Sequence, residues 1–553
     1  MSRFRSSPWA VLLVLCLGFF MILLDTTIVN IAIPSIIDTF QASLDQILWV
    51  LNSYILVYAV LLITAGRLGD IVGPRNLFAT GMALFVAASA YAGLAPDTTH
   101  LIAARSLQGI GGALLTPQTL AILTTIFPPQ RRGAAFGIWG AVGGVAAITG
   151  PTLGGFIVTN WTWRWIFYVN LPIGIVALVA TFLIVPDIRP GRRHRFDVVG
   201  VLLASAALFL VTFGLIEGEH FQWGTVYGPV TIPLMIGAGL ALLLLFAFWE
   251  RTREEPLVPF SLFADRNYLV MNWMASVIAF GMIGSFLPIT IYLQSVLGLD
   301  ALHAGLTMVP MSLSSMLIAP FSGRLADRIG GKYILMFGLS MFALGMGLLV
   351  ALAGPGSTSQ TFFVPLVIAG IGQGCTFAPM STLAMRDITP RMAGAASGVL
   401  NTTRQLGGVL GGAVVGAVLQ NQLATTMRAR AIQDAAALPA AVQQRFIDGF
   451  SNLGQGGIEV GPGQSGLSQL PSGIPPILAG QIQSLAHDVF VNGFIAAMKP
   501  TLSVTIAMLA IGVASTFLIQ NREISSEAVQ AHERAREGWP VPAAGGERGR
   551  GKQ

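Results

Sequence analysis

The sequence predicts an all-α integral membrane protein in which two six-helix bundles flank two inserted helices. Of the 553 residues, 54% are hydrophobic and only 10% are charged, and the mean hydropathy is +0.72. A soluble domain carries about 25% charged residues. About 14 segments meet the length of about 20 apolar residues that a spanning helix needs. A polar decapeptide also occurs twice, at 66–75 and 323–332, which indicates a duplicated membrane body.

The predicted spans alternate with polar loops along most of the chain. They cover residues 9–33, 47–68, 77–95, 101–122, 134–158, 165–185, 198–216, 229–249, 269–297, 304–325, 333–353, 362–385, 393–419 and 501–519. Between the last two we expect a long extracytoplasmic loop, 420–488, with a surface helix around 435–450 and a flexible stretch over 451–476. Arginines concentrate in alternate loops, so the positive-inside rule predicts that both termini are cytoplasmic.

The repeat also predicts the domain organisation. Its first copy, Gly-Arg-Leu-Gly-Asp, follows the second span, and its second copy, Gly-Arg-Leu-Ala-Asp, follows the tenth. Two plain six-helix halves would separate the copies by six spans rather than eight. We therefore expect an N-terminal bundle over 1–190, two inserted helices over 191–256, a C-terminal bundle over 257–519 and a cytoplasmic tail over 520–553. Duplicated halves around a central site are typical of secondary transporters.

Charged residues in the middle of a span are costly and by default indicate function. Asp25 lies in the first span, Arg105 in the fourth and Arg404 in the thirteenth. A carboxylate that faces a water-filled cavity can exchange a proton as access alternates, and a nearby arginine can tune that exchange. The alternative is that Asp25 and Arg105 form a fixed pair that only orients helices.

The repeat places Asp70 and Asp327 at the cytoplasmic ends of helices. A carboxylate there can accept hydrogen bonds from the exposed amides of a neighbouring helix N-terminus and hold an inward gate shut. We include the neighbouring cations Arg67, Arg75 and Arg324 in this gating set. The alternative is a surface loop in which the glycines only permit the turn and the cations only follow the positive-inside rule.

The fifth span ends in a glycine-rich segment that contains Gly150, Pro151, Gly154 and Gly155. Small residues and a proline predict a hinge or a tightly packed helix, although ordinary packing produces the same pattern. Polar and aromatic residues in other spans are candidates for lining a substrate cavity, the alternative being packing or an interfacial belt. These candidates are Asn30, Tyr54, Tyr58, Gln118, Trp139, Tyr292, Asn401, Arg404 and Gln405.

In this order and spacing, the motifs resemble the major facilitator superfamily, specifically its fourteen-helix drug:proton antiporter branch of bacterial multidrug exporters. Residues 66–75 are similar to the loop signature of that superfamily, 101–109 to its fourth-helix signature and 150–155 to its antiporter signature. Segments 24–34 and 163–172 are typical of the fourteen-helix branch. Two departures are Pro74, where the loop signature usually has a basic residue, and a predicted tenth span without a carboxylate, which argues against a preference for dications.

The resemblance implies a major-facilitator-type fold in a bacterial inner membrane and proton-coupled export of amphipathic organic compounds by alternating access. Asp25 would then be the protonation site, Arg105 its coupling partner and Asp70 the gate latch. The expected partners are small amphipathic substrates, protons and lipid, with no nucleic acid, no cofactor or metal beyond the proton gradient, and a monomeric chain.

Two alternatives to this function remain open in the sequence. The chain could be a dedicated exporter or importer of a metabolite, because one fold serves many functions. It could also be a membrane receptor or scaffold that does not transport. An enzyme is not expected, since the sequence shows no nucleophile–base arrangement, nucleotide loop or metal cluster.

Overall fold

The computed structural model describes residues 7–187, 197–451 and 476–520, and it is helical nearly throughout. The helices are α1 (Pro8–Phe40), α2 (Leu44–Val72), α3 (Pro74–Leu94), α4 (Thr98–Ile126), α5 (Arg132–Asn160), α6 (Trp165–Tyr168), α7 (Asn170–Ile184), α8 (Val198–Glu217), α9 (Ile232–Arg251), α10 (Ser261–Ala264), α11 (Arg266–Ile291), α12 (Ala301–Ile329), α13 (Gly331–Leu352), α14 (Phe363–Gly374), α15 (Phe377–Ala384), α16 (Ala393–Ala435), α17 (Ala440–Ser451) and α18 (Pro476–Ser515). A short antiparallel hairpin, β1 (Thr225–Tyr227) and β2 (Val230–Thr231), joins α8 to α9.

Fourteen helical segments of the described chain are long and apolar enough to cross a membrane, which confirms the predicted fold class. Two of these spans are composite, since α6 and α7 together form the sixth and α14 and α15 form the twelfth. The tenth span is longer than predicted, because α12 continues to Ile329 and includes Asp327 within the helix. The small helices α10 and α17 connect or flank the spans.

The helices before and after the inserted pair pack against each other across the centre of the molecule. The main contacts across this boundary are α5 with α12 and α2 with α16. The inserted helices α8 and α9 pack against each other, and α8 also packs against α2. We use the term basic face for the end of the bundle at which α2 and α12 end and α5 and α16 begin. Arg67, Arg75, Arg131 and Arg324 belong to this face.

The prediction of a loop over 420–488 was wrong at both ends of that segment. Helix α16 continues without a break to Ala435, and α18 begins at Pro476. Leu423, Met427 and Ala431 recur every four residues in this extension of α16, and all three are buried. This buried stripe stabilises the extension of α16, although the residues on its other faces are mostly polar. The continuous run of apolar residues therefore ends before the helix does. Helix α17 matches the expected surface helix, and residues 452–475 of the expected flexible stretch lie outside the described residues.

Candidate functional site

A buried polar cluster surrounds Asp25 in the middle of α1. The Asp25 carboxylate is completely buried, and one of its oxygens accepts a hydrogen bond from Arg105 Nη1 of α4. The other oxygen accepts hydrogen bonds from Gln108 Nε2 at 3.0 Å and from Asn170 Nδ2 of α7 at 2.9 Å. The hydroxyl of Ser89, on α3, accepts from the same Gln108 amide at 2.7 Å. The cluster therefore joins α1, α3, α4 and α7 around one carboxylate.

Arg105 extends this cluster to α2. Its Nε donates to the backbone carbonyl of Val50 at 3.2 Å, and its guanidinium lies 4.4 Å from the centroid of the Tyr54 ring. Its Nη1 also donates to Gln108 Oε1 at 2.8 Å. Asp25 and Arg105 therefore lie together. Because Arg105 also contacts α2, a change in the charge of Asp25 would act on the residue that links Asp25 to α2.

Three members of the cluster, Ser89, Gln108 and Asn170, were not among the predicted site residues. Gln108 had a sequence signal, since it lies three residues after Arg105 and such residues share a face of a helix. Ser89 and Asn170 had none, because a single polar residue in an apolar segment does not reveal which helix it faces. All three are buried.

At the basic face, Asp70 forms the first of two matching contacts. One of its carboxylate oxygens accepts a hydrogen bond from Gly394 N at 2.9 Å, and the other accepts from Ala395 N at 2.8 Å. These amides belong to the first turn of α16, where backbone N–H groups have no partner within the helix. A carboxylate at this position satisfies two donors and complements the helix dipole. Asp70 thus joins α2 of the first half to α16 of the second.

Asp327 forms the second contact with the roles of the halves exchanged. Its two carboxylate oxygens accept hydrogen bonds from Gly133 N at 2.8 Å and Ala134 N at 2.9 Å, in the first turn of α5. Here α12 of the second half is joined to α5 of the first. We call the two contacts the Asp70 latch and the Asp327 latch. Both latches are engaged, so the two halves are in contact at the basic face.

The segments that receive the two aspartates are also repeated in the sequence. Residues 129–137 and 390–398 share the pattern Pro-x-x-x-Gly-Ala-Ala-x-Gly, and each begins with a 3₁₀ turn that leads into a helix. The glycines permit close approach, because a Cβ on Gly137 would lie 2.6 Å from the Ala319 carbonyl and one on Gly398 would lie 2.9 Å from that of Leu62. This second repeat is as regular in the sequence as the decapeptide.

The predicted gating cations differ in what they contact. Arg67 is buried, whereas Arg324 is exposed. Arg75 pairs with Asp187 at 3.6 Å within the first half, so its ion pair does not join the halves. A cation that was not predicted, Arg132, does join them, since its Nη1 donates to the Met385 carbonyl at 2.7 Å.

The glycine-rich end of α5 packs against α1. A Cβ on Gly150 would overlap the side chain of Thr27, and one on Gly154 would lie 2.8 Å from Ile28 Cγ1. Gly155, by contrast, has no heavy atom within 4 Å of the position that a Cβ would take. The tight-packing prediction therefore agrees with the contacts of Gly150 and Gly154. Pro151 lies on the α12 side, next to Gly305.

The candidate cavity residues do not form one group. Tyr54 and Tyr58 stack at 5.9 Å, and the Tyr58 hydroxyl donates to Thr116 Oγ1 at 3.1 Å. Trp139 stacks on Phe19 with ring centroids 4.2 Å apart. Asn30 is exposed in the C-terminal half of α1, and Gln405 is half-buried.

Three of the candidates donate side-chain hydrogen bonds to backbone carbonyls. Gln118 lies between α4 and α2, where its Nε2 donates to the Ala65 carbonyl at 2.9 Å. The Tyr292 hydroxyl donates to the Gly354 carbonyl at 3.0 Å, in the loop between α13 and α14. Asn401 Nδ2 donates to the Ser397 carbonyl of its own helix at 2.9 Å. Contact of these three residues with a substrate stays a prediction.

Comparison with known proteins agrees with this architecture. A family model described as Major Facilitator Superfamily matches residues 15–412. An uncharacterised MFS-type transporter of Mycobacterium tuberculosis (strain ATCC 25618 / H37Rv) is 40% identical over 77% of this chain and 73% of its own length. The tetracenomycin C resistance and export protein of Streptomyces glaucescens is 33% identical over 99% of this chain and 97% of its own.

Among solved structures, the fold is similar to that of the proton:xylose symporter XylE bound to 6-bromo-6-deoxy-D-glucose. The TM-score is 0.56, with 13% sequence identity, over 81% of this chain and 94% of the symporter. At this identity the similarity concerns the fold alone.

Proposed function

This chain belongs to the Major Facilitator Superfamily, and we propose that it is a proton-driven exporter of amphipathic organic compounds. A relative that matches nearly its full length is named a resistance and export protein, which supports outward transport. The concentration of arginines at the basic face supports a cytoplasmic location for that face. In this orientation both chain termini are cytoplasmic, and the engaged latches close the cytoplasmic side.

The observation that carries the proposal is the hydrogen-bonded environment of Asp25. Its carboxylate is fully buried in the membrane region and is held by one arginine and two amides. Protonation would remove the charge that Arg105 neutralises. Arg105 would then be free to change its contacts with Val50 and Tyr54 on α2. Because α2 ends in the Asp70 latch, this chain of contacts couples the proton to the cytoplasmic closure.

The latches supply the two-state element that alternating access requires. Each consists of one carboxylate and two backbone N–H groups from opposite halves, so both break if the halves separate at the basic face. In the proposed cycle, the substrate enters from the cytoplasm with the latches open. Their closure, favoured by a deprotonated Asp25 that holds α2 through Arg105, then opens the outer side.

A drug-susceptibility panel in an exporter-deficient bacterial host tests this function. We expect the wild type to raise the inhibitory concentration of at least one amphipathic compound at least about 4-fold, and Asp25→Asn to abolish that gain, because asparagine keeps the size but loses the proton. Asp97→Asn is the matched control, since Asp97 is exposed outside the spans. Equal membrane abundance of the variants must be verified by immunoblot. Undiminished resistance in Asp25→Asn would show instead that Asp25 and Arg105 form a fixed structural pair.

A further inference from the structure

Arg404 is a cation in the first third of α16, inside the thirteenth membrane span. Among the described residues, no carboxylate forms a salt bridge with it, whereas Arg105 is neutralised by Asp25. The Arg404 guanidinium lies 5.2 Å from the centroid of the Phe377 ring. An uncompensated charge at this depth is costly, so a functional reason for it is expected.

The same region contains one buried hydrogen-bond donor, Trp139 Nε1–H, for which no partner is found among the described residues. The rings of Phe19, Trp139 and Phe377 form a continuous row, which we call the aromatic floor, with centroids 4.2 Å and 5.1 Å apart. Trp139 is completely buried, yet its Nε1–H has no hydrogen-bond partner. Buried polar groups in native proteins are nearly always paired, so an unpaired donor beside an unpaired cation indicates a site for an acceptor.

In the described part of the chain, the floor has a free donor, Trp139 Nε1–H, and no free carboxylate. Asp25 is already occupied by Arg105 and two amides. Within residues 7–187, 197–451 and 476–520, the carboxylates that have a buried oxygen without a partner are Glu250 and Asp387. Glu250 lies at the end of α9 and Asp387 follows α15, so both are away from the floor. The balance of charge around Phe377 therefore favours an anion and disfavours a cation.

We propose that the aromatic floor and Arg404 bind planar aromatic compounds that carry an acidic group, such as a carboxylate or a phenolate. The anion would pair with Arg404, while the aromatic body would pack against Phe377, the partly exposed ring of the floor. This inference rests on the proposed export function and names the substrate class of that function.

Equilibrium binding to the full-length protein in nanodiscs, without a proton gradient, tests the inference. The probes are three matched fluorophores: pyrenebutyrate, its methyl ester and pyrenebutylammonium. A second set of three probes, built on anthraquinone-2-carboxylate, tests whether the result depends on the pyrene ring. We expect the wild type to bind the carboxylates at least about 10-fold more tightly than the ammonium compounds, because the Arg404 guanidinium attracts a carboxylate and repels an ammonium group.

Variants of Arg404 identify the source of this preference. Arg404→Gln is expected to weaken carboxylate binding by about 10- to 100-fold, while binding of the ester changes by less than about 3-fold. Arg404→Lys should keep most of the preference, and it maintains the test if the glutamine variant does not fold. Arg428→Gln, which removes an exposed arginine farther along α16, is the matched control and should behave as the wild type.

Three outcomes would overturn the inference: tighter binding of the ammonium probes, an acid preference that persists in Arg404→Gln, or failure of every carboxylate to bind. Because no gradient is present, none of these depends on proton coupling. A different combination of results separates the two proposals. If the wild type prefers the carboxylates and its Asp25→Asn variant still exports, the proposed coupling is refuted and the binding site is retained.

Discussion

The most informative perturbation is removal of one latch carboxylate by Asp70→Asn. The Asp70 carboxylate accepts two backbone hydrogen bonds, and a hydrogen bond to a charged group contributes about 1.5–3 kcal/mol. Asparagine keeps one acceptor oxygen but loses the charge and turns an N–H donor toward the helix N-terminus. We therefore expect a loss of about 2 kcal/mol, which shifts the ratio of closed to open states at the basic face by about 30-fold.

Distance measurements by pulsed electron spin resonance can detect this shift. Spin labels at Val72 and Ile329 would report on α2 and α12, because both side chains are exposed at the basic face. The native cysteines Cys16 and Cys375 are buried, so they compete little for the label. If the closed state is about 20-fold more populated than the open state in the wild type, a 30-fold shift leaves the two states in nearly equal amounts. Two separate distance peaks would then be resolved.

The equivalent geometry of the two latches sharpens this prediction. Asp327→Asn should produce a shift of similar size, since its two hydrogen bonds have the same lengths within 0.1 Å as those of Asp70. Arg75→Gln is the matched control, because the ion pair of Arg75 lies within one half. An unchanged distance distribution in Asp70→Asn, or an equal shift in Arg75→Gln, would refute the assignment of the closure to the latches.

Three further predictions concern packing and polar contacts. Gly150→Ala should lower the thermal stability measured by scanning fluorimetry, because its Cβ would overlap Thr27, whereas Gly155→Ala should be neutral or stabilising by up to about 1 kcal/mol; equal effects would contradict the packing described for α5. Arg132→Gln should shift the same spin-label distances toward the open state, because it removes a contact between the halves; no shift would restrict Arg132 to a role within its own half. Asn170→Leu should destabilise the fold by about 1–3 kcal/mol by removing a donor to the buried Asp25, and a stability equal to wild type would show that this hydrogen bond is dispensable.

Much of the candidate site could be predicted because its key residues are either charged residues inside apolar spans or members of the repeated decapeptide. A single carboxylate or arginine inside an apolar span is conspicuous, so Asp25, Arg105 and Arg404 were identified individually. The decapeptide repeat likewise identified Asp70 and Asp327. Polar amides and tyrosines are common in spans, and their roles depend on helix rotation. For this reason the contact of Gln118, Tyr292 and Asn401 with a substrate stays a prediction, and the structure shows only that each donates to a backbone carbonyl.

The sequence by itself determined the membrane class, the count of fourteen spans and the duplication, because hydropathy and repetition are linear properties of the chain. Only the tertiary structure decided the partners: that the repeated aspartates bind the helix N-termini of the opposite half, and that Asp25 meets Asn170 across 145 positions of sequence. It also showed that α16 continues past its apolar run. Which residues meet depends on the rotation and the neighbours of each helix, and these are set by packing in three dimensions.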